Sequence, residues 1–181
     1  MKKVACLLAE GFEETEAIQT VDILRRAHIH VDLVSIKDKV VTGSHHIQVH
    51  ADLIMGDSLD EYDMILLPGG QPGTDNLIAD SRVIAAIQTF NANKKWLAAI
   101  CAAPKVLDKA GVLKDKKVTS HPSVIEGNFK TSNYLNKEVV LDNHIITSRG
   151  VGTSAAFAFT ILELFNIDSQ PFKEAMMFNH K

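Results

Sequence analysis

The chain has 181 residues, and its 46% hydrophobic and 23% charged residues are typical of one globular domain with an apolar core. A formal net charge of −3 without a basic run argues against nucleic acid as a partner. No apolar stretch reaches the roughly 18 residues that cross a bilayer, and the amino-terminal segment turns acidic before a signal-type core develops. We therefore expect a single domain over residues 1–181, in the cytoplasm, with no nucleic-acid or membrane partner.

Strand and helix patterns alternate through most of the chain. Short apolar runs predict buried strands, and apolar side chains three or four residues apart predict the helices between them. One stretch, residues 40–51, alternates apolar and polar side chains instead, which predicts a small hairpin added at a sheet edge. In chain order the predicted elements are strand 2–8, a helix after Gly11, strand 30–36, hairpin 40–51, strand Met64–Leu67, helix 81–91, strand Trp96–Ile100, helix 102–110, a hairpin with strands 139–141 and 144–148, helix 153–165 and a short helix from Gln170.

This alternation predicts an α/β domain whose mostly parallel sheet is sandwiched by helices. In such a sheet the loops that follow the strands meet at the carboxyl edge, where binding and catalytic sites form. Residues 10–16, the Gly69-Gly70 turn and the segment around Cys101 fall in loops of this kind. We therefore expect the functional site at this edge of the sheet.

Only two cysteines are present, which excludes a disulfide framework and leaves each thiol to be explained by itself. Cys6 lies within an apolar strand and is interpreted as a core residue. Cys101 lies between a buried strand and a helix start, where the helix dipole and backbone N–H groups favour the thiolate. The small neighbours Ala99, Ala102 and Ala103 permit the sharp bend of a nucleophile elbow. Cys101 is therefore the candidate nucleophile, with a small core residue as the alternative.

Several motifs, in this order along the whole chain, resemble the DJ/ThiJ/PfpI superfamily, in the branch of the parkinsonism-associated protein deglycase and its bacterial homologues. Each motif is weak alone, but their order and spacing make the combination specific. The resemblance implies a single domain with a flavodoxin-like fold of the class I glutamine amidotransferase type. The motifs are Glu13-Glu14-Thr15-Glu16, Asp22 with Arg25-Arg26, Leu67-Pro68-Gly69-Gly70 with Gly73 and Asn76-Leu77, Ala99-Ile100-Cys101-Ala102-Ala103-Pro104, Thr119-Ser120-His121-Pro122 and Thr147-Ser148-Arg149-Gly150-Val151-Gly152-Thr153-Ser154.

The resemblance also implies roles for individual residues. Cys101 matches the reactive cysteine of the family, and Glu16 matches the acid whose carboxyl group lies against that sulfur. A helix-start acid is the alternative for Glu16 and the preferred interpretation of Glu13 and Glu14. The resemblance implies backbone N–H donors of the oxyanion type at Gly69, Gly70 and Ala102. It also implies a pocket histidine at His121, for which an exposed loop histidine is the alternative.

Departures from the family pattern narrow the function. Ala102 stands where protease-like members carry histidine directly after the nucleophile, so peptide hydrolysis is disfavoured. An accessory cysteine found in some relatives is absent from the region of Gly43 and His50. His45, His46 and His50 lack the ligand spacing of known zinc motifs, and we expect no functional metal.

Two functions follow from the resemblance. The first is a cysteine-dependent enzyme of the glyoxalase or deglycase type, a hydrolase or lyase without a cofactor, that converts methylglyoxal, glyoxal or their thiol and amine adducts to a 2-hydroxy acid. Its partners are small dicarbonyls or glycated protein adducts. The alternative is a redox-responsive protective protein or chaperone whose Cys101 is oxidised to sulfinate. In either case the resemblance implies a homodimer formed through the first helix, which carries Ile18, Val21 and Leu24 on an apolar stripe.

Overall fold

The computed structural model describes residues 1–56 and 58–178, which form a central sheet covered by helices. The sheet consists of β1 (Lys3–Leu8), β2 (His30–Ser35), β5 (Leu53–Ile54), β6 (Met64–Leu67), β7 (Trp96–Ile100), β10 (Val139–Asp142) and β11 (Ile145–Ser148). Its strand order is β10-β11-β7-β6-β1-β2-β5. Neighbouring strands run parallel, except that β10 and β11 form an antiparallel hairpin at one edge. The predicted mostly parallel α/β sheet is confirmed.

Six helices and two short two-stranded sheets complete the described residues. The helices are α1 (Glu14–Arg26), α2 (Gly73–Ala79), α3 (Ser81–Ala92), α4 (Pro104–Lys109), α5 (Ser154–Leu164) and α6 (Gln170–Ala175). The small sheets pair β3 (Val40–Thr42) with β4 (Gln48–His50), and β8 (Lys117–Val118) with β9 (Asn133–Tyr134). Within residues 1–56 and 58–178, no helix combines the length and the apolar character that a membrane-spanning segment needs.

The central strands are apolar throughout because both faces of the sheet are covered. Along β1, Cys6 and Leu8 pack on the side of α1 and α5, whereas Ala5 and Leu7 pack on the side of α3 and α4. Successive side chains of a strand point to opposite faces, so a strand covered on both sides cannot alternate with polar residues. Each fully buried leucine contributes about 2 kcal/mol of hydrophobic free energy to folding.

The predicted hairpin forms, but it does not extend the central sheet. β3 and β4 pair only with each other, and the edge strand beside β2 is β5. The hairpin instead bonds to the loop after β1, where Gly11 N donates to Thr42 O at 2.8 Å and Ser44 N donates to Phe12 O at 2.8 Å. The turn of the hairpin therefore lies beside the carboxyl edge of the sheet, next to the expected site.

Candidate active site

Cys101 lies on a sharp turn directly after β7, which is the third strand from the β10 edge of the sheet. Its φ of 63° is in the left-handed region, which ends the strand abruptly. The residue is tied on both sides, because Cys101 N donates to Ser148 O at 3.0 Å and Cys101 O accepts from His121 N at 2.8 Å. Ala102 and Ala103 are buried beneath the turn. The bend predicted from the small neighbours is present, but the helix itself begins only at Pro104 rather than at residue 102.

Glu16 lies in the first turn of α1 and is buried, with 1% of its surface exposed. Its Oε2 accepts a hydrogen bond of 2.8 Å from Gly69 N. Apart from the Cys101 thiol, with which the carboxyl group interacts, Oε1 has no hydrogen-bond partner among the described residues. The helix-start role belongs to Glu13 instead, whose carboxylate caps α1 by accepting from Glu16 N at 2.6 Å. Glu16 therefore has no capping role, and its carboxyl group is held against the sulfur of Cys101.

Burial sets the ionisation of this pair. Removal from water raises the pKa of Glu16 to about 7, although the Cys101 thiol and Gly69 N–H lower it. Removal from water and, after it, the nearby charge of ionised Glu16 together raise the pKa of the Cys101 thiol to about 12. Two groups this strongly coupled share their protons and titrate as a unit. The pair therefore loses its first proton near neutral pH, and the proton that remains is shared between the carboxyl group and the sulfur.

The raised pKa of the Cys101 thiol differs from the prediction that the helix dipole and backbone N–H groups favour the thiolate. The reason is that the sulfur is largely buried and α4 begins three residues later, so the dipole of the helix does not offset desolvation. Cys6 is fully buried in the core, as predicted, and burial raises its pKa to about 12. Burial raises the pKa of both thiols. Cys101 differs from Cys6 because it lines the cavity and accepts hydrogen bonds from the backbone N–H groups of Gly70 and Ala102.

The glycine turn after β6 serves two purposes. The N–H groups of Gly70 and Ala102 lower the pKa of Cys101, which makes them donors at the sulfur. Gly69 differs from the expected donor role, because its N–H is bonded to Glu16. A Cβ at Gly69 would lie 2.7 Å from both Cys101 Cβ and Glu16 Oε2, so only glycine allows these groups to approach.

His121 lies at the rim of the same cavity, on an exposed loop. Its Nδ1 accepts from Ser123 N at 3.2 Å, which places the ring proton of the neutral form on Nε2. A Cβ built on Gly150 would lie 3.6 Å from His121 Cδ2, 3.9 Å from Cys101 Sγ and 3.9 Å from Glu16 Oε1. The three predicted side chains therefore surround one position above Gly150, which a carbon atom can occupy in ordinary van der Waals contact with all three.

The cavity around this position has a volume of about 890 Å³. Besides the predicted residues, it is lined by the hairpin turn at Ser44 and His45 and by the segment after β11 at residues 149–153. The second segment belongs to the motif at residues 147–154 that carries the resemblance, but no role was predicted for it. Its position directly after a buried strand was the signal that could have placed it at the carboxyl edge.

One cluster at the rim has the composition of a metal site. Glu13, Glu14 and His45 bring potential ligand atoms within 4.8 Å of one another. Glu14 is already bonded to the hairpin turn, where its Oε1 accepts from His45 N at 2.7 Å and its Oε2 contacts His45 Nδ1 at 3.1 Å. Glu13 is the cap of α1. These contacts explain the cluster as an anchor for the hairpin, and we assign it no metal.

Comparison with known proteins places this geometry in a family. The sequence profile of the DJ-1/PfpI family matches residues 2–164. The chain is 37% identical over 165 residues to Protein dj-1beta of Drosophila melanogaster, and the match covers 90% of this chain and 88% of that protein. It is 33% identical over 177 residues to the Glutathione-independent glyoxalase DJ-1 of Schizosaccharomyces pombe, with 90% and 91% covered. It spans 36% of the length of Protein DJ-1 homolog B of Arabidopsis thaliana, at 32% identity.

The fold agrees with solved structures of the same group. The crystal structure of Drosophila melanogaster DJ-1beta is similar with a TM-score of 0.93 and 34% identity, over 97% of each chain. The structure of oxidised Toxoplasma gondii DJ-1 is similar with a TM-score of 0.93 and 30% identity, over 99% of this chain and 100% of that one. With its profile match and with relatives matched over most of their length, the chain belongs to the DJ-1/PfpI family.

Proposed function

We propose that the protein is a cofactor-independent enzyme of the glyoxalase or deglycase type, which converts methylglyoxal, glyoxal or their thiol and amine adducts to a 2-hydroxy acid. The observation that carries the proposal is the buried carboxyl group of Glu16, with a pKa raised to about 7, against the sulfur of Cys101 in an open cavity. An acid poised near neutral pH both gives and takes protons there. The similarity to a relative named as a glutathione-independent glyoxalase supports the same reaction class.

The first step is addition of the Cys101 thiolate to the aldehyde carbon of the dicarbonyl, which forms a carbon–sulfur bond. The aldehyde oxygen becomes an alkoxide, and the N–H groups of Gly70 and Ala102 stabilise its charge. Glu16 then gives its proton to this oxygen. The product is a hemithioacetal on Cys101, and Glu16 is left as a carboxylate.

The second step moves hydrogen between the two carbons of the bound substrate. The Glu16 carboxylate removes the proton from the former aldehyde carbon and returns it to the neighbouring keto carbon through an enediol. His121 gives a proton to the keto oxygen and takes one from the hydroxyl of the former aldehyde carbon, so its own protonation is unchanged at the end of the step. The former aldehyde carbon is oxidised to a thioester and the keto carbon is reduced to a carbinol. Water then hydrolyses the thioester, which releases the 2-hydroxy acid and restores the thiol. No external oxidant or reductant is consumed.

Lactate formation from methylglyoxal, measured without added glutathione, tests the proposal. We expect turnover by the unaltered protein and a loss of at least about a thousandfold in Cys101→Ser, because a serine hydroxyl at this site ionises far less readily than a thiol. Cys6→Ala is the matched control and is expected to keep turnover, since Cys6 lies in the core. Absence of turnover in the unaltered protein would contradict the enzyme and favour the redox role.

The homodimer remains a proposal that rests on the family resemblance. Val21 and Leu24 of the predicted stripe are buried in the core of the chain itself, whereas Ile18 is 40% exposed. Ile47 on the neighbouring hairpin turn is 57% exposed. These two exposed apolar side chains are the ones that we propose a second copy covers. The mass measured by light scattering distinguishes dimer from monomer.

A further inference from the structure

Arg149 lies in the wall of the Cys101 cavity, at the carboxyl end of β11. Its position is fixed by its two neighbours, of which Ser148 bonds to the backbone of the nucleophile and Gly150 lies beside it. Ser148 O accepts from Cys101 N at 3.0 Å, and Gly150 lies below the position that the reacting groups surround. The backbone of Arg149 is held as well, because its N–H donates to the Thr153 hydroxyl at 3.3 Å. The backbone of Arg149 is therefore held beside the reaction centre by a well-tied segment, and the residue lines the cavity.

The positive charge of Arg149 is not balanced by an acid in residues 1–56 and 58–178. Its one side-chain hydrogen bond there is from Nη1 to Oδ1 of Asn136, which is a neutral acceptor. Arg149 is half-buried as a residue, and its guanidinium has five N–H donors, so most of them are unused. Lys105, the other cation of the cavity wall, differs because its Nζ is paired with Asp75 at 2.6 Å.

None of the acidic side chains that line the cavity, among the described residues, is a counter-ion of Arg149. Glu13 is committed to the cap of α1, and Glu16 is bonded to Gly69 and coupled to the thiol. Glu126 lines the cavity from the exposed loop after His121 and forms no ion pair with Arg149. A partly desolvated guanidinium without an anionic partner is suited to bind one, because its planar donors match the two oxygens of a carboxylate or phosphate group.

The size of the cavity agrees with a substrate larger than methylglyoxal. A volume of about 890 Å³ is that of a site for a drug-sized ligand, whereas a three-carbon dicarbonyl fills only a small part of it. We propose that Arg149 is a specificity-determining residue that selects 2-oxoaldehydes carrying a carboxylate or another anionic group a few bonds from the reacting carbonyl. This inference rests on the proposed function and names its substrate class.

A pair of substrates that differ in charge tests the selectivity. The anionic probe is 4,5-dioxopentanoate, and the neutral probe of similar length is 2-oxopentanal. We expect the unaltered protein to have the higher kcat/KM for the anionic probe, and Arg149→Gln to lower the ratio of the two kcat/KM values by about tenfold or more, which is the worth of a hydrogen-bonded charge pair. Arg149→Lys keeps the charge and is expected to retain part of the preference.

The matched control is Arg26→Gln, which removes an arginine that is paired with Asp22 at 2.7 Å on the exposed side of α1. Because it changes the net charge by the same amount, a general electrostatic effect would lower the ratio equally in both variants. We expect the ratio to change in Arg149→Gln alone. An equal change in both variants, or no change in either, would overturn the proposal.

A second measurement does not depend on turnover. The probes are 3-maleimidopropionate, which is anionic, and its neutral methyl ester, and in both the Cys101 thiolate adds to the maleimide double bond while the neighbouring carbon takes up a proton. We expect Arg149→Gln to slow labelling by the anionic reagent severalfold more than labelling by the ester. If the protein turns over no dicarbonyl but this difference is found, the anion site stands and the enzyme proposal fails. If the two reagents are affected equally, the anion site is refuted whatever the turnover.

Discussion

Replacement of Glu16 by glutamine is expected to lower kcat for lactate formation from methylglyoxal by about 10²–10⁴-fold, the range found for general acid–base groups. Glutamine has the same shape, and its amide oxygen can still accept from Gly69 N. It cannot take a proton from the former aldehyde carbon or give one to the keto carbon. The loss should appear in kcat rather than in KM, because the hydrogen transfer and not the binding of substrate is blocked.

The matched control for this variant is Asp22→Asn, which removes an exposed carboxylate from the same helix. It is expected to leave kcat unchanged within about twofold, as is usual for a surface residue outside the site. A Glu16→Gln protein that forms lactate at the rate of the unaltered protein would remove Glu16 from the mechanism and shift the proton transfer to His121 or solvent.

The raised pKa of Glu16 also has a consequence for folding. A carboxyl group whose pKa rises from 4.5 to about 7 on folding favours the folded state while it is protonated. That contribution is fully present below about pH 4.5 and is lost as the pH rises through 7. Glu16→Gln lacks this dependence. As the pH rises from about 4.5 to about 7, the free energy of unfolding of the unaltered protein should therefore fall relative to that of Glu16→Gln. Urea unfolding at several pH values measures the difference.

Replacement of Gly69 by alanine is expected to cost at least about a hundredfold in kcat/KM and about 1–3 kcal/mol in the free energy of unfolding. The added Cβ would lie 2.7 Å from Cys101 Cβ, 2.7 Å from Glu16 Oε2 and 3.0 Å from Ala102 N. Cys101 Cβ and Ala102 N belong to the turn and cannot move aside, and Glu16 Oε2 can move only if the carboxyl group leaves its place against the thiol. The clash therefore separates the acid from the thiol at the point where the mechanism needs them together.

Gly152→Ala is the matched control for the glycine variant, since Gly152 lines the same cavity but a Cβ there meets nothing within 4 Å. Its free energy of unfolding should stay within about 0.5 kcal/mol of that of the unaltered protein. Chemical denaturation together with lactate formation compares the two variants. Equal stability and equal turnover in Gly69→Ala would show that the close approach at Gly69 is not required.

Much of the fold was predictable because strand burial leaves a strong pattern in the sequence. Met64–Leu67 and Trp96–Ile100 were predicted with their observed bounds, since unbroken apolar runs between turn residues are typical of strands covered on both faces. The seven-residue helix α2 was missed because its start at Gly73 has no side-chain cap. The location of the β3–β4 hairpin was missed because alternation predicts a strand but not the surface on which it packs.

The candidate site was predictable in its members and in the coupling of its acid and thiol, but not in the burial that sets their pKa values. Cys101, Glu16, His121 and Gly70 came from the resemblance and from the position of Cys101 after a buried strand, and the structure brings them to one cavity. A carboxyl group against a sulfur implies a raised acid pKa and a pair that titrates as a unit, whereas the burial that raises the thiol pKa depends on contacts distant in sequence. The same holds for Arg149, whose missing counter-ion is visible only when the surrounding side chains are in place.

The central claim is that Glu16 and Cys101 share one proton, and the rate of Cys101 alkylation by iodoacetamide as a function of pH tests it most directly. The account predicts that the rate rises in two steps, the first near pH 7 as the pair loses its first proton and the second far above as the pair loses its second. In Glu16→Gln the two steps should merge into one, because no second ionisable group remains. A single step near 8.5 in both proteins, the value of an ordinary thiol, would contradict the claim.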